Sequence, residues 1–143
     1  MEQAEKQQKI QKYEVFLSTK LQPDLKKVLD ERDAVYEDIA EYLKLKNQIE
    51  FMKENSSDDS PLKTLVDVGC DFYMQAKVEN KDRIYIQVGL DCHVEFSLDE
   101  ALMFLGRKEK QLEKKAESLT ERALQIKAHI KLCLAAIQEV LDA

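Results

Sequence analysis

The sequence has few of the residues that interrupt helices, with three glycines and two prolines among 143 residues. It has no tryptophan and two histidines, and its acidic residues outnumber its basic ones by 28 to 22. Long apolar runs are missing, so we expect neither a secretory signal nor a transmembrane helix, and a location in the cytoplasm and nucleus. No segment is basic enough to predict direct nucleic-acid binding.

The cysteines Cys70, Cys92 and Cys133 are odd in number and widely spaced. Without an export signal, they predict reduced thiols that pack as small buried apolar residues instead of a disulfide framework. His129 and Cys133 stand four residues apart, a spacing that can present two ligands to zinc from one helix, but the remaining ligands are missing. We therefore expect no metal site and no cofactor.

Sequence signatures of catalysis are missing as well. The chain has no glycine-rich phosphate loop and no GxSxG-type nucleophile elbow. Its carboxylates are scattered along amphipathic helices, where they solvate the outer face. We therefore expect no enzymatic activity and no catalytic residues.

The C-terminal third carries the most regular pattern in the chain. From Leu98 onward, residues at alternating steps of four and three form a coiled-coil seam, which only Glu109 breaks. The seam positions are Leu98, Leu102, Leu105, Glu109, Leu112, Ala116, Leu119, Ala123, Ile126, Ile130, Cys133, Ile137 and Val140. A period of 3.5 kept over about six heptads predicts a supercoiled partner helix. Ser97 and Glu100 predict a capping box at its start.

The N-terminal third shows the same stepping less regularly. Its apolar stripe consists of Leu25, Val28, Val35, Ile39, Tyr42 and Ile49. Arg32 and Lys46 interrupt this stripe. Pro23 removes a helical hydrogen bond, so the helix either begins or kinks there. We favour a kink, because only a helix that starts near Ile10 would match the reach of an antiparallel C-terminal helix.

The middle of the chain changes to period two. Residues 56–63 have the composition of a linker, and alternate apolar residues then fall on one side of four strands. The turns at residues 69–71 and 89–91 predict two β-hairpins. An isolated hairpin is only marginally stable, and these hairpins have apolar faces and unpaired edges, so we expect them to need partners.

This order of elements, with both helices in coiled-coil register, resembles the α-class subunits of prefoldin, a hexameric chaperone. Several short stretches also resemble one particular member of that class: Tyr13–Leu17, Asp24–Asp33, Asp67–Cys70, Arg83–Tyr85 and Ile126–Ile130. The resemblance implies an α+β fold in which a long antiparallel two-helix coiled coil carries two β-hairpins between its helices. The expected single domain has a first helix at residues 1–55, a linker at 56–63, hairpins at 64–97 and a second helix at 98–143.

The resemblance implies assembly of the hairpins into β-barrels with prefoldin β-class subunits and another α-class subunit of the URI type. The residues expected at subunit contacts are Val66, Val68, Phe72, Met74, Ile84, Ile86, Val88, Cys92, Val94 and Phe96. Charges at Ile86 and Val94 are predicted to disrupt this assembly while the helices stay intact. The implied function is that of a co-chaperone subunit that acts without ATP on unfolded or assembling client proteins.

The ends of the two helices carry further apolar residues, which are candidates for contact with clients or adaptors. They are Ile10, Tyr13, Val15, Phe16, Leu17, Ile130, Leu134, Ile137 and Leu141. Two interpretations stay open: these residues close the coil, or those off the seam, such as Val15, Leu17 and Leu134, clasp exposed apolar surface of a client. A second functional hypothesis is a transcriptional or centrosomal adaptor, which would contact transcription regulators through the same coil outside any hexamer.

Overall fold

The computed structural model describes residues 2–55 and 60–142, so the first half of the predicted linker, residues 56–59, lies outside the described residues. The elements in order are α1 (Glu2–Phe16), a π turn (Leu17–Leu21), α2 (Gln22–Glu54), β1 (Leu62–Asp67), β2 (Tyr73–Val78), β3 (Arg83–Gly89), β4 (Cys92–Ser97) and α3 (Leu98–Asp142). The predicted α+β fold, with two hairpins between long helices, is confirmed. In this part of the chain, none of the helices has the length and apolar content that crossing a membrane requires.

The described residues form two compact units. The coil unit is the described part of residues 1–39 and 111–143, and the hairpin unit is residues 40–110. Each unit has an apolar core of its own, so each is described separately below.

The core of the coil unit lies along the predicted seam. Val28 and Val35 of α2 pack in one cluster with seam residues of α3, namely Ala116, Leu119 and Ala123. Every seam position of α3 from 112 to 140 is buried or half-buried. The four-three pattern therefore predicted the buried face of α3 correctly, because a repeated 3.5-residue period keeps one side of a helix against its neighbour.

The helix does not begin at Pro23, which the sequence allowed as one alternative. α1 continues through the π turn into α2, and the Gln22 N–H donates a hydrogen bond to the Leu17 carbonyl, five residues earlier. Because proline has no N–H to offer the carbonyl four residues before it, a wide turn just upstream accommodates Pro23 within a continuous helix. The alternative that the sequence favoured, a kink at Pro23, stays a prediction, and the sequence did not predict the π turn at Leu17–Leu21.

The π turn also corrects the phase of the apolar stripe. In a regular helix, the buried positions before Leu21 would lie three residues earlier, at Ser18, and one heptad before that, at Gln11. Both of these residues are polar. One extra residue in the turn rotates α1 instead, so that Leu17 is buried and Ile10 is half-buried. The insertion thus keeps apolar residues on the seam upstream of Pro23.

The hairpin unit contains two separate two-stranded antiparallel sheets, β1–β2 and β3–β4. The two central residues of each turn, Cys70 with Asp71 and Leu90 with Asp91, have positive φ angles between 50° and 59°. Positive φ at both positions is the signature of the type I′ turn, whose twist suits a hairpin. The helices supply the core beneath β3–β4, with Ile49 of α2 and with Leu98, Ala101 and Leu105 of α3.

The start of α3 is fixed by local polar contacts. The Ser97 N–H donates to Glu100 Oε2 at 2.9 Å, and the Glu100 N–H donates to Ser97 Oγ at 3.3 Å, which confirms the predicted capping box. The hydrogen bonds with Ser97, first that of its backbone N–H, hold the pKa of the Glu100 carboxyl below its usual value. An ion pair between Lys53 and Asp99 joins the last turn of α2 to this first turn.

Candidate subunit-assembly surface

The apolar face of the β3–β4 hairpin is covered by helices of the same chain. Ile86 is 5% exposed and belongs to the core of the hairpin unit, while Ile84 and Phe96 pack against that core half-buried. The Phe96 ring stacks on Phe104 of α3, with 5.3 Å between ring centroids. The part of this face formed by Ile84, Ile86 and Phe96 is therefore covered within the subunit.

The β1–β2 hairpin has an apolar face that the described residues, 2–55 and 60–142, leave largely uncovered. The strand register pairs Leu62 with Val78 and Val66 with Met74. The Val68 N–H donates to the Phe72 carbonyl at 2.8 Å, so the same face continues toward the turn. We call its exposed members the open face; they are Leu62, Val66, Val68, Phe72 and Met74, each between 37% and 66% exposed.

The reverse side of the same hairpin is mixed. Leu65 and Tyr73 are more than half exposed there, beside Lys63, Gln75 and Lys77. Sequence analysis missed Leu65 and Tyr73 because they alternate with polar residues. It also missed Leu62, although two steps of two residues back from Val66 would have reached it.

The structure changes the interpretation of Ile86. The sequence predicted that Ile86 and Val94 face a neighbouring subunit, but Ile86 lies in the core of its own chain with Ile49 and Leu105. Val94, its direct cross-strand partner, is 41% exposed. A charge at Ile86 would therefore disturb the subunit itself, so this substitution cannot separate assembly from folding.

The other predicted assembly residues of the second hairpin lie close to its turn. Val88 falls at an irregularity in the β3–β4 register, between Gln87 and Gly89, and is half-buried. Cys92 begins β4 and is exposed. A contact of either residue with another subunit stays a prediction.

The candidate client-contact residues have different exposures in the coil unit. Leu17 is 7% exposed because the π turn directs it to the buried side, so the sequence-based expectation that it lies off the seam and free for clients is wrong. Ile10, Ile130 and Ile137 are half-buried. The residues with free apolar surface are Tyr13, Val15, Phe16, Leu134 and Leu141.

The expected burial of the cysteines holds for one of the three. Cys133 is half-buried on the α3 seam, whereas Cys70 and Cys92 are exposed because they lie at the two hairpin turns. His129 is exposed. Among residues 2–55 and 60–142, no three His, Cys, Asp or Glu side chains are grouped as they would be to hold a metal ion.

Comparison with known sequences identifies the protein family to which this chain belongs. The model of the Prefoldin family, described as prefoldin subunit, matches residues 21–143. The chain therefore belongs to the prefoldin family, as the sequence resemblance predicted. The part of the chain before residue 21, with α1 and most of the π turn, lies outside that match.

Individual relatives narrow the resemblance. The chain is 43% identical to Protein UXT of Homo sapiens over 133 residues, which cover 93% of this chain and 83% of that protein. It is 41% identical to the Protein UXT homolog of Nematostella vectensis over 134 residues, 94% of this chain and 84% of that protein. Prefoldin subunit alpha of Methanosarcina acetivorans is 35% identical over 68 residues, 48% of each chain.

A solved structure has the same fold. The filamentous prefoldin of Methanocaldococcus jannaschii, determined by cryo-electron microscopy, superposes with a TM-score of 0.64. The superposition covers 80% of this chain and 93% of that one, at 21% sequence identity. The likeness confirms a coiled coil with hairpins as the architecture of this chain.

Proposed function

We propose that this chain is a subunit of a prefoldin-type hetero-oligomer that acts as a co-chaperone without ATP. The open face of the β1–β2 hairpin is the observation that carries the proposal. Five apolar side chains are 37% to 66% exposed there, whereas the helices cover Ile84, Ile86 and Phe96 of the second hairpin. A surface of this kind marks a site of protein association.

The energetics of the hairpin favour association through this face. A two-stranded hairpin with no cover is marginally stable on its own. Completing the burial of half-exposed side chains such as Val66, Phe72 and Met74 contributes on the order of 1 kcal/mol each. The partners that fit are hairpins of prefoldin β-class subunits and of a second, URI-type α-class subunit, because they supply strand edges and apolar faces of the same kind.

Clients are held, in this proposal, by the exposed apolar residues at the helix ends. Tyr13, Val15 and Phe16 of α1 and Leu134 and Leu141 of α3 provide that surface. Apolar groups of this type bind exposed apolar segments of unfolded or assembling proteins without a bound nucleotide. We place this activity in the cytoplasm and nucleus.

The assembly proposal is tested with two neighbouring substitutions on opposite faces of β2. Met74→Lys puts a charge on the open face, whereas Gln75→Lys puts the same charge on the reverse side. Each variant is co-expressed with prefoldin β-class and URI-type subunits, and the stoichiometry of the recovered complex is measured by size-exclusion chromatography with light scattering. Circular dichroism at 222 nm checks that the helices are intact.

The expected result is at least a tenfold lower recovery of the complex for Met74→Lys and recovery within twofold of the unmodified chain for Gln75→Lys. Phe72→Lys, on the same face as Met74, should repeat the loss. Full recovery of both open-face variants would show that the chain does not assemble through this hairpin. It would favour an adaptor that works outside a hexamer.

A further inference from the structure

A groove in the coil unit is built from residues that belong to neither hairpin. It is bounded by Tyr36 of α2 and by one side of α3, and its volume is about 640 Å³. The α3 residues that line it are Glu113, Ala116, Glu117, Thr120 and Glu121. None of them is among the residues that carry the proposed assembly or client contacts.

The α3 side of the groove includes two small side chains between the glutamates. Ala116 lines the groove but is only 3% exposed. The Thr120 hydroxyl donates to the Ala116 carbonyl at 2.9 Å, so its polar group is used within the helix. Leu124 follows on the next turn of the same helix face and is 59% exposed.

The Tyr36 side chain forms the opposite wall and is 49% exposed. The Arg32 guanidinium lies 5.7 Å from the centre of its ring, and this cation–π contact restrains the ring. A half-exposed, restrained tyrosine offers a large contact area at little cost in conformational entropy. Tyrosine is accordingly one of the residues that most often dominate binding energy at interfaces.

Three carboxylates line the α3 side of the groove. Glu113, Glu117 and Glu121 are four residues apart and therefore occupy one side of the helix on successive turns. None of them takes part in an ion pair among the described residues. Like charges at this spacing destabilise an isolated helix.

We infer that this groove binds a basic amphipathic helix of a partner protein. The apolar stripe of that helix packs on the exposed side chains of Tyr36 and Leu124. Its Lys or Arg side chains, spaced by one turn, face the three carboxylates and remove their mutual repulsion. The stretch from Glu113 to Leu124 spans about 16 Å of α3, which matches three turns of the bound helix. An acidic helix or a nucleic-acid backbone is repelled by the same carboxylates.

The experiment uses the full chain and two fluorescein-labelled synthetic helical peptides of 21 residues. Both peptides carry the same Leu and Ala stripe; one has Lys and the other Glu at three positions spaced by four residues. Binding is followed by fluorescence anisotropy in 50 and 300 mM salt. The test variant is Glu113→Gln/Glu117→Gln/Glu121→Gln. The control variant, Glu31→Gln/Asp38→Asn/Glu139→Gln, removes the same charge outside the groove.

We expect the basic peptide to bind, the acidic peptide to bind at least tenfold more weakly, and the test variant to weaken the basic peptide about tenfold. The control variant should change the dissociation constant less than twofold. Tyr36→Ala should also weaken binding about tenfold while the salt dependence of the remaining binding persists. Higher salt should weaken binding to the unmodified chain but have little effect on the test variant.

Three results would overturn the inference: no binding of the basic peptide, equal binding of the two peptides, or equal effects of the test and control variants. All the substituted acidic residues are exposed, so we expect each variant to fold. Circular dichroism checks this. The co-expression test of the open face does not depend on this groove. The inference and the proposed assembly function can therefore fail separately.

Discussion

Lys46, which interrupts the apolar stripe of α2, forms an ion pair with Glu109, which interrupts the seam of α3. Lys46 Nζ lies 3.6 Å from Glu109 Oε2, and the two side chains are 34% and 23% exposed. Two of the three polar breaks in the sequence patterns thus meet in one layer of the hairpin unit; the third, Arg32, lies in the coil unit. A single polar layer of this kind specifies register in coiled coils at some expense of stability.

We expect Glu109→Leu to lower the free energy of unfolding by about 1 kcal/mol, because it leaves the Lys46 charge partly buried without its partner. Lys46→Leu/Glu109→Leu should unfold at a urea concentration equal to or above that of the unmodified chain, because the layer becomes apolar. The exposed pair Lys20–Asp24, 3.3 Å apart, is the control, and Asp24→Asn should change stability by less than about 0.5 kcal/mol. A double variant less stable than Glu109→Leu would contradict this account.

The capping box makes the stability of α3 depend on pH. The pKa of the Glu100 carboxyl is lower in the folded chain than in the unfolded chain. The contribution of this carboxylate to the free energy of unfolding is therefore complete at pH values above its unfolded pKa, and it is lost as the pH falls through its lower, folded pKa. Glu100→Ala should therefore be less stable than the unmodified chain at neutral pH, and the difference should vanish in acid, below the usual glutamate range. Ser97→Ala should lower stability by about 1 kcal/mol. Thermal unfolding at several pH values measures both effects. If the stability difference between Glu100→Ala and the unmodified chain grew in acid, the stabilising role assigned to the ionised Glu100 carboxylate would be wrong.

The turn of the second hairpin contains a residue that does not suit its backbone. Leu90 has a φ angle of 50°, a left-handed conformation that is unfavourable for leucine. Its side chain is 98% exposed, so packing does not offset this unfavourable conformation. Leu90→Asn should raise the free energy of unfolding by about 0.5 kcal/mol, because asparagine tolerates this conformation better. Leu132→Asn removes another exposed leucine from regular helix and should bring no gain. A loss of stability in Leu90→Asn, measured by urea titration, would reveal packing of the Leu90 side chain.

The π turn should be removable together with its cause. Deleting Ser18 and replacing Pro23 with Ala restores four-three spacing between Leu17, Leu21 and Leu25, and restores an amide donor. We expect the free energy of unfolding of this variant, measured by urea titration, to be higher by roughly 1 to 3 kcal/mol, because a proline in a helix interior is destabilising. Deleting Ser18 alone removes the wide turn but keeps the proline, so this variant should be less stable than the unmodified chain. A double variant that is less stable than the unmodified chain would mean that the π turn is itself favourable.

Client capture should depend on the exposed residues of α1. Val15→Ser/Phe16→Ser, in the assembled complex, should reduce suppression of the aggregation of chemically unfolded citrate synthase by half or more, because it removes free apolar surface. Met103→Ser removes a similarly exposed residue in the hairpin unit, away from the proposed client surface, and should have little effect. Light scattering measures the aggregation, and subunit stoichiometry checks assembly. Equal activity of both variants would contradict a client site at this end of α1.

Local patterns in the sequence predicted much of the fold. The α3 seam, the Ser97–Glu100 capping box and the two hairpin turns each depend on residues within a few positions of one another, so their spacing was sufficient. The π turn left a local trace too, since Leu17, Leu21 and Leu25 recur every four residues where a regular seam alternates four and three. That trace showed a change of phase but not how the backbone would absorb it.

The candidate site was harder to predict because it depends on tertiary packing. Val66 and Ile86 lie in strands with the same alternation, yet Val66 is exposed and Ile86 is covered by α2 and α3. Period two identifies an apolar face but not what covers it. The exposure of Cys70 and Cys92 has the same origin, because cysteine is usually buried unless the fold places it at a turn. The groove beside Tyr36 could not be predicted from the sequence, because its walls belong to two helices, α2 and α3.

The difference between the covered and the open hairpin affects how the cell tolerates unequal supply of the subunits. Under the proposed function, a newly made copy completes only the half of its sheet region that its own helices can cover. Copies produced in excess of their partners keep the open face in water, where quality-control proteases and chaperones recognise such surfaces. The abundance of this protein is then limited by its scarcest partner, and orphan copies are short-lived.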